Sequence, residues 1–112
     1  MKMIKAIIRP EKVAVVREAL EAAGYPGIMV SEIEGHGRQR GLTQTYRGQE
    51  YKVAMLQKAK LELVVADKDA DRLVKVIVDA AVTGNVGDGK IFVSEIAQAI
   101  RIRTGERGES AL

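Results

Sequence analysis

Seven consecutive residues, Gly84-Asn85-Val86-Gly87-Asp88-Gly89-Lys90, carry the glycine and lysine spacing of a Walker A phosphate loop. Closely spaced glycines let successive backbone N–H groups converge on one point, which makes a nest for an anion. Lys90 adds a point charge there, and Arg101 and Arg103 offer planar, forked donors suited to phosphate oxygens. Two features separate the segment from a true Walker A. Ile91 stands where a Ser or Thr hydroxyl must ligate magnesium. The turn also leads from a helix into a strand, whereas a P-loop leads from a strand into a helix and uses the helix N-terminus. Residue chemistry alone leaves two readings open, a phosphate cradle or a tight turn followed by solvated arginines.

A second concentration of charge lies upstream. Between residues 37 and 60, Arg38, Arg40, Arg47, Lys52, Lys58 and Lys60 face a single acid, Glu50, while the whole chain is only +3. Such a local excess attracts phosphates, carboxylates or an acidic partner, although a solvated loop has the same composition. The chain has no cysteine, so disulfides, thiolate metal sites and cysteine nucleophiles are excluded, and the composition fits a cytoplasmic protein. One histidine, His36, cannot supply a multi-histidine metal site. With 112 residues, 46% of them hydrophobic, the chain suits one domain with one core. No apolar run approaches the about 20 residues of a membrane span, and the N-terminus alternates like a strand instead of carrying a secretory signal.

The elements that position these groups follow from periodicity. Lys2 to Ile8 alternates as a strand; Val13, Val16, Ala19, Leu20 and Ala23 recur at helical spacing, and Gly24 stops that helix. Ile28 to Glu34 reads as a weaker strand. From about Gly37 to Met55 there is no clean period, only three glycines, two tyrosines and most of the local positive charge, the mark of a long functional loop. Ala59 to Val65 is a clear strand. Asp67 is the expected N-cap of a second helix with the stripe Leu73, Val74, Ile77 and Ala81, stopped by Gly84. Ile91 to Glu95 reads as a strand and Ile100 to Thr104 as a short one, which puts Arg101 and Arg103 on one side. From Gly105 the polar tail reads as flexible.

This order is the split βαβ, ferredoxin-like α+β arrangement, βαββαβ with a long loop between its second and third strands. Two helices cover one sheet face; the other mixes Ile7, Val64 and Phe92 with Lys5, Lys60 and Glu62, as a wet oligomer interface does. RNA-recognition modules share the order, but they need stacking aromatics, and Phe92 is the only one on a clear strand. An ATPase or phosphatase is a second rival, with no readable nucleophile–base pair to support it.

Several separated motifs together resemble the PII nitrogen-regulatory family. Thr83-Gly84-Asn85-Val86-Gly87-Asp88-Gly89-Lys90-Ile91-Phe92-Val93 is similar to one family signature and Tyr46-Arg47-Gly48-Gln49-Glu50-Tyr51 to the other. Gly37-Arg38-Gln39-Arg40-Gly41, Lys58-Ala59-Lys60-Leu61-Glu62 and Ile100-Arg101-Ile102-Arg103-Thr104-Gly105 also fit, across essentially the whole chain. The resemblance implies a homotrimer whose clefts bind ATP and ADP in competition. Gly37, Arg38, Gln39, Gly87, Asp88, Gly89 and Lys90 would surround the nucleotide, with Arg101 and Arg103 reaching in from the adjoining subunit. The adenine would lie near Met29 and Val64, mostly against backbone; Met29 replaces the small hydroxyl residue of many relatives.

The resemblance further implies that Mg2+ and 2-oxoglutarate join bound ATP. Gln39 would ligate the metal, Lys58 would pair with an effector carboxylate, and Arg40, Gly41 and Gly87 would complete that pocket. A mobile T-loop, about residues 37–55, would carry the output. Arg47 would contact targets such as an ammonium channel, and glutamine synthetase is a further family target. Tyr51 matches a tyrosine that some members have nucleotidylylated, and Gln49 replaces the serine that some relatives phosphorylate. The implied protein is a regulator and not an enzyme, without nucleic-acid binding or membrane insertion, and His36 is structural.

Overall fold

The computed structural model describes the backbone of residues 1–35, 43–46, 49–52 and 56–112, and the side chains of residues 1–33 and 57–112. Strand β1 is Lys2–Ile8, and its alternation sends Ile4, Ala6 and Ile8 into the core. Pro10, whose fixed φ suits a first helical position, opens a short 3-10 turn, Pro10–Lys12. That turn runs directly into α1, Val13–Ala22, which buries Val16 and Leu20. Gly24, at φ 92°, ends the helix. The Tyr25 and Gly24 amides donate back to the Leu20 and Glu21 carbonyls at 2.9 and 3.0 Å, a Schellman closure.

Strand β2, Met29–Gly35, follows. Thr43–Tyr46 (β3) and Gln49–Lys52 (β4) then pair antiparallel inside the segment that shows no clean period in sequence. Four-residue strands are too short to display a period, yet Thr43, Thr45, Tyr46 and Tyr51 are residue types that suit strands. Strand β5, Leu56–Val65, is longer than the expected Ala59–Val65. Helix α2 is Asp67–Ala81 and buries Ala70, Leu73, Ile77 and Ala81. Asp67 is not its N-cap: Ala66 holds that place, and the Asp67 carboxylate accepts from the N-terminal ammonium at 2.8 Å. Asp67 and Asp69 still complement the dipole of the first turn. Nor does Gly84 end α2, because Val82 is already extended; Gly84, at φ 88°, belongs to the turn that follows.

Strand β6 is Gly89–Glu95. The four long strands form an antiparallel sheet in the order β2-β5-β1-β6, with two helices packed on one face, the expected ferredoxin-like α+β fold. Ile4, Ala6, Ile8, Ala59, Leu61, Leu63 and Val65 meet Val16, Leu20, Leu73 and Ile77 in a single core. Burying a side chain of this size contributes about 1.5–3 kcal/mol, so this one layer carries the fold. The register puts Met29, Ile33, Lys58, Lys60, Glu62, Val64, Met3, Lys5, Ile7, Lys90 and Phe92 on the opposite, open face.

The expected strand Ile100–Thr104 does not form. A lone bridge, Ile100 to Arg107, closes a tight turn in which the Gly105 amide donates to the Arg101 carbonyl at 2.7 Å. Gly105 adopts φ 73° there, a conformation a continuing strand cannot contain. The tail then makes a 3-10 turn, Gly108–Ala111. Among the described residues no helix is long and apolar enough to cross a membrane.

Candidate functional site

The glycine turn between α2 and β6 is held by one carboxylate. Asp88 accepts from the Thr83 amide and the Gly84 amide, each at 2.9 Å, and from the Thr83 hydroxyl. It also accepts from Arg9 Nε at 3.1 Å. The Thr83 hydroxyl and amide, then the Gly84 amide and Arg9, hold the Asp88 carboxyl well below the usual carboxylate range. Arg9 reaches further, donating through a terminal nitrogen to the Val86 carbonyl at 2.9 Å. Lys58 Nζ donates to the next carbonyl, that of Gly87. Burial, and then the neighbouring Arg9, lower the Lys58 pKa. Two cations from the sheet thus grip Val86, Gly87 and Asp88 from one side.

Glycine is required at the turn's exit for a steric reason. A Cβ on Gly89 would stand 1.7 Å from the Ile7 carbonyl oxygen, and its φ is 108°. Gly87 is also left-handed, at φ 101°. Among the described residues the Gly87 amide has no acceptor, so it is available to an anion. Lys90 lies opposite Ile7 on the open face and has no ion-pair partner among the described residues. The carboxylate of Asp88 is fully engaged, so only its backbone can serve a phosphate.

The sequence-predicted residues fall into three groups. Gly87, Asp88, Gly89, Lys90 and Lys58 come together at one end of the sheet. Met29, 57% exposed, and half-buried Val64 share the open face but sit toward its other end, with Met29 on the opposite edge strand. β2 and β6 are three strand spacings apart, roughly 14 Å. Arg101 and Arg103 part company. The Arg101 guanidinium is engaged by Glu106 and by the Ser110 carbonyl, both at 3.1 Å. Arg103 is exposed in the turn and has no partner among the described residues. Gly37, Arg38, Gln39, Arg40, Gly41 and Arg47 lie outside the described residues, as does His36. Tyr51 is on β4 opposite Gln44, with its side chain outside the description.

Sequence reasoning missed Arg9 and Thr83. Thr83 carries a local signal, since a hydroxyl five residues before an Asp across a glycine turn suits a capping role. Arg9 carries almost none. Its parity after Lys5 and Ile7 puts it on the open face, but its partner is 79 residues away.

An antiparallel α+β sheet with two helices on one face is an architecture that serves many functions, so the class of this protein is read from its relatives. Residues 1–106 match the family described as Nitrogen regulatory protein P-II. A "Nitrogen regulatory protein P-II 2" of Methanothermobacter thermautotrophicus is 54% identical over 112 residues, all of this chain and 97% of that protein. Proteins named "Nitrogen regulatory protein P-II" from Rhodobacter capsulatus and Nostoc punctiforme are also 54% identical, each covering both chains completely. The chain belongs to the P-II family. It is a nitrogen-regulatory signal protein and not an enzyme.

Proposed function

We propose that the chain senses adenine nucleotide, with ATP and ADP competing for the glycine turn, and passes the result to target proteins through residues 37–55. The observation that carries this reading is the turn itself. Its conformation is held from within the chain by Arg9, Thr83 and Asp88, which lowers the ordering cost of binding a polyphosphate. Among the described residues Lys90 and Arg103 have no ion-pair partner, which leaves both to receive charge.

The site is shared between neighbouring copies in a homotrimer. Gly87 to Lys90 lie at the β6 edge, and Met29 at the β2 edge. A pocket containing both is met more directly between two chains than across one sheet. The exposure of Phe92 at 55% and Ile102 at 100% supports a covering partner copy. In that pocket Arg103 of the neighbour contacts phosphate, and Arg101 joins it by exchanging Glu106 for a phosphate oxygen. Arg38 and Gly37 complete the nucleotide site.

Mg2+ and 2-oxoglutarate bind after ATP. A 2-keto acid presents adjacent hard oxygens that chelate a metal already held by a triphosphate; Gln39 ligates that metal, and Lys58, beside Gly87, takes a carboxylate. Arg40 and Gly41 close the pocket. The rearranged loop presents Arg47 to an ammonium channel or to an enzyme such as glutamine synthetase, and Tyr51 is the candidate modification site. The protein works in the cytoplasm. Calorimetric titration with ATP, ADP and 2-oxoglutarate, with and without magnesium, is the test. ATP and ADP are expected to displace each other, and 2-oxoglutarate to give heat only with Mg-ATP present. An assembly indifferent to both nucleotides would end this reading.

A further inference from the structure

We infer that Arg9 is the positioning residue of the anion turn: by bridging the Asp88 carboxylate and the Val86 carbonyl it sets polyphosphate affinity without touching the ligand. This deepens the proposed nucleotide reading and, for its affinity arm, rests on it.

The geometry leaves Arg9 few other tasks. It sits immediately after β1, before Pro10, where the strand ends and no ladder holds the chain. Its side chain is 19% exposed and that of Asp88 is 23% exposed, so the pair is partly shielded from water and salt. A guanidinium presents donors in a fixed plane. Here Nε is taken by Asp88 and one terminal nitrogen by Val86, two residues earlier in the same turn. The two bonds fix both a side chain and a carbonyl of the turn, which one point charge cannot do as well. Thr83 holds Asp88 from within the turn, but among the described residues Arg9 alone ties the turn to the sheet through that carboxylate. Gly87 lies between the two anchored residues, and among the described residues its amide has no acceptor, so its direction is set by the anchors. Without Arg9 the remaining tie among the described residues from the sheet to the turn's middle is Lys58 on the Gly87 carbonyl. The proposed effector carboxylate also claims that lysine. Arg9 is then the anchor that stays in place throughout.

The test uses the full chain with Arg9→Met, Arg9→Lys, Asp88→Asn and the Arg9→Met/Asp88→Asn double variant. ATP and ADP affinities are measured by calorimetry, and amide hydrogen exchange of residues 84–89 without ligand. Arg9→Met is expected to weaken both nucleotides by about tenfold, the double variant to be little worse than either single one, and Arg9→Lys to recover part of the loss. Exchange should quicken at 84–89 in Arg9→Met while the amides of β1 and β5 keep their protection. Unchanged affinity with unchanged exchange in the turn would overturn the inference, as would fully additive losses. Faster exchange throughout the sheet would also overturn it, making Arg9 a residue of global stability. If the unaltered chain binds neither nucleotide, the sensing reading fails, and the exchange pattern alone still decides what Arg9 does.

Discussion

Two glycine turns flank β6, and each is held by an arginine–carboxylate pair, but they are anchored differently. In the turn before β6, Asp88 is tied to Arg9 across 79 residues. In the turn after it, Arg101 is tied to Glu106 only five residues away. The first bond joins two strands' ends through the sheet, so the turn inherits the rigidity of the core. The second closes a loop on itself, and its members are 35% and 41% exposed. A long-range tie positions a site against the rest of the molecule, whereas a local one only shapes its own loop.

The sharpest way to break this contrast is to substitute the glycines. Gly89→Ala forces a Cβ into the Ile7 carbonyl oxygen and should cost about 3 kcal/mol or more, read as a lowered midpoint in chemical denaturation. Gly105→Ala, at φ 73° with nothing within 4 Å, should cost only about 1 kcal/mol in the same measurement. Equal losses would show that the two turns are equally anchored.

The next effect concerns the proposed phosphate contacts. Arg103→Ala should weaken ATP by about tenfold or more, the loss of a charge-assisted bond. Arg101→Ala should do so less, because Arg101 must first give up Glu106. The reverse order in calorimetry would mean that the second turn rearranges fully on binding.

Smaller still is Glu106→Gln, which removes an exposed ion pair and should shift stability by less than about 1 kcal/mol. The smallest effect is on pH. A carboxylate with a depressed pKa contributes stability that is complete above the unfolded value, about 4, and lost only as pH falls through the folded value. The amide shifts of residues 84–89 should therefore stay constant from pH 8 to pH 5. A titration step in that window would remove Asp88 as the keystone. Lys58 works in the opposite range. Its lowered pKa means that the unfolded chain binds more protons in the window just below the ordinary lysine value, so stability rises with pH there.

Much of this protein is written in local pattern. The alternation of Ile4, Ala6 and Ile8, the helical stripe through Leu73 and Ile77, and the stop at Gly24 each depend on neighbours within a few residues. Such periods specify element type and buried face, and with the βαββαβ order they specify the sheet. The motif residues around Gly87 and Lys90 are legible for the same reason. Where the local signal was weak, tertiary structure decided: Ile100–Thr104 turned instead of extending, and Ala66 took the N-cap place from Asp67. It alone brought Arg9 to Asp88, Lys58 to the Gly87 carbonyl and the Gly89 backbone against Ile7. Those contacts join residues dozens of positions apart, and only the register of β1 against β5 and β6 makes them neighbours.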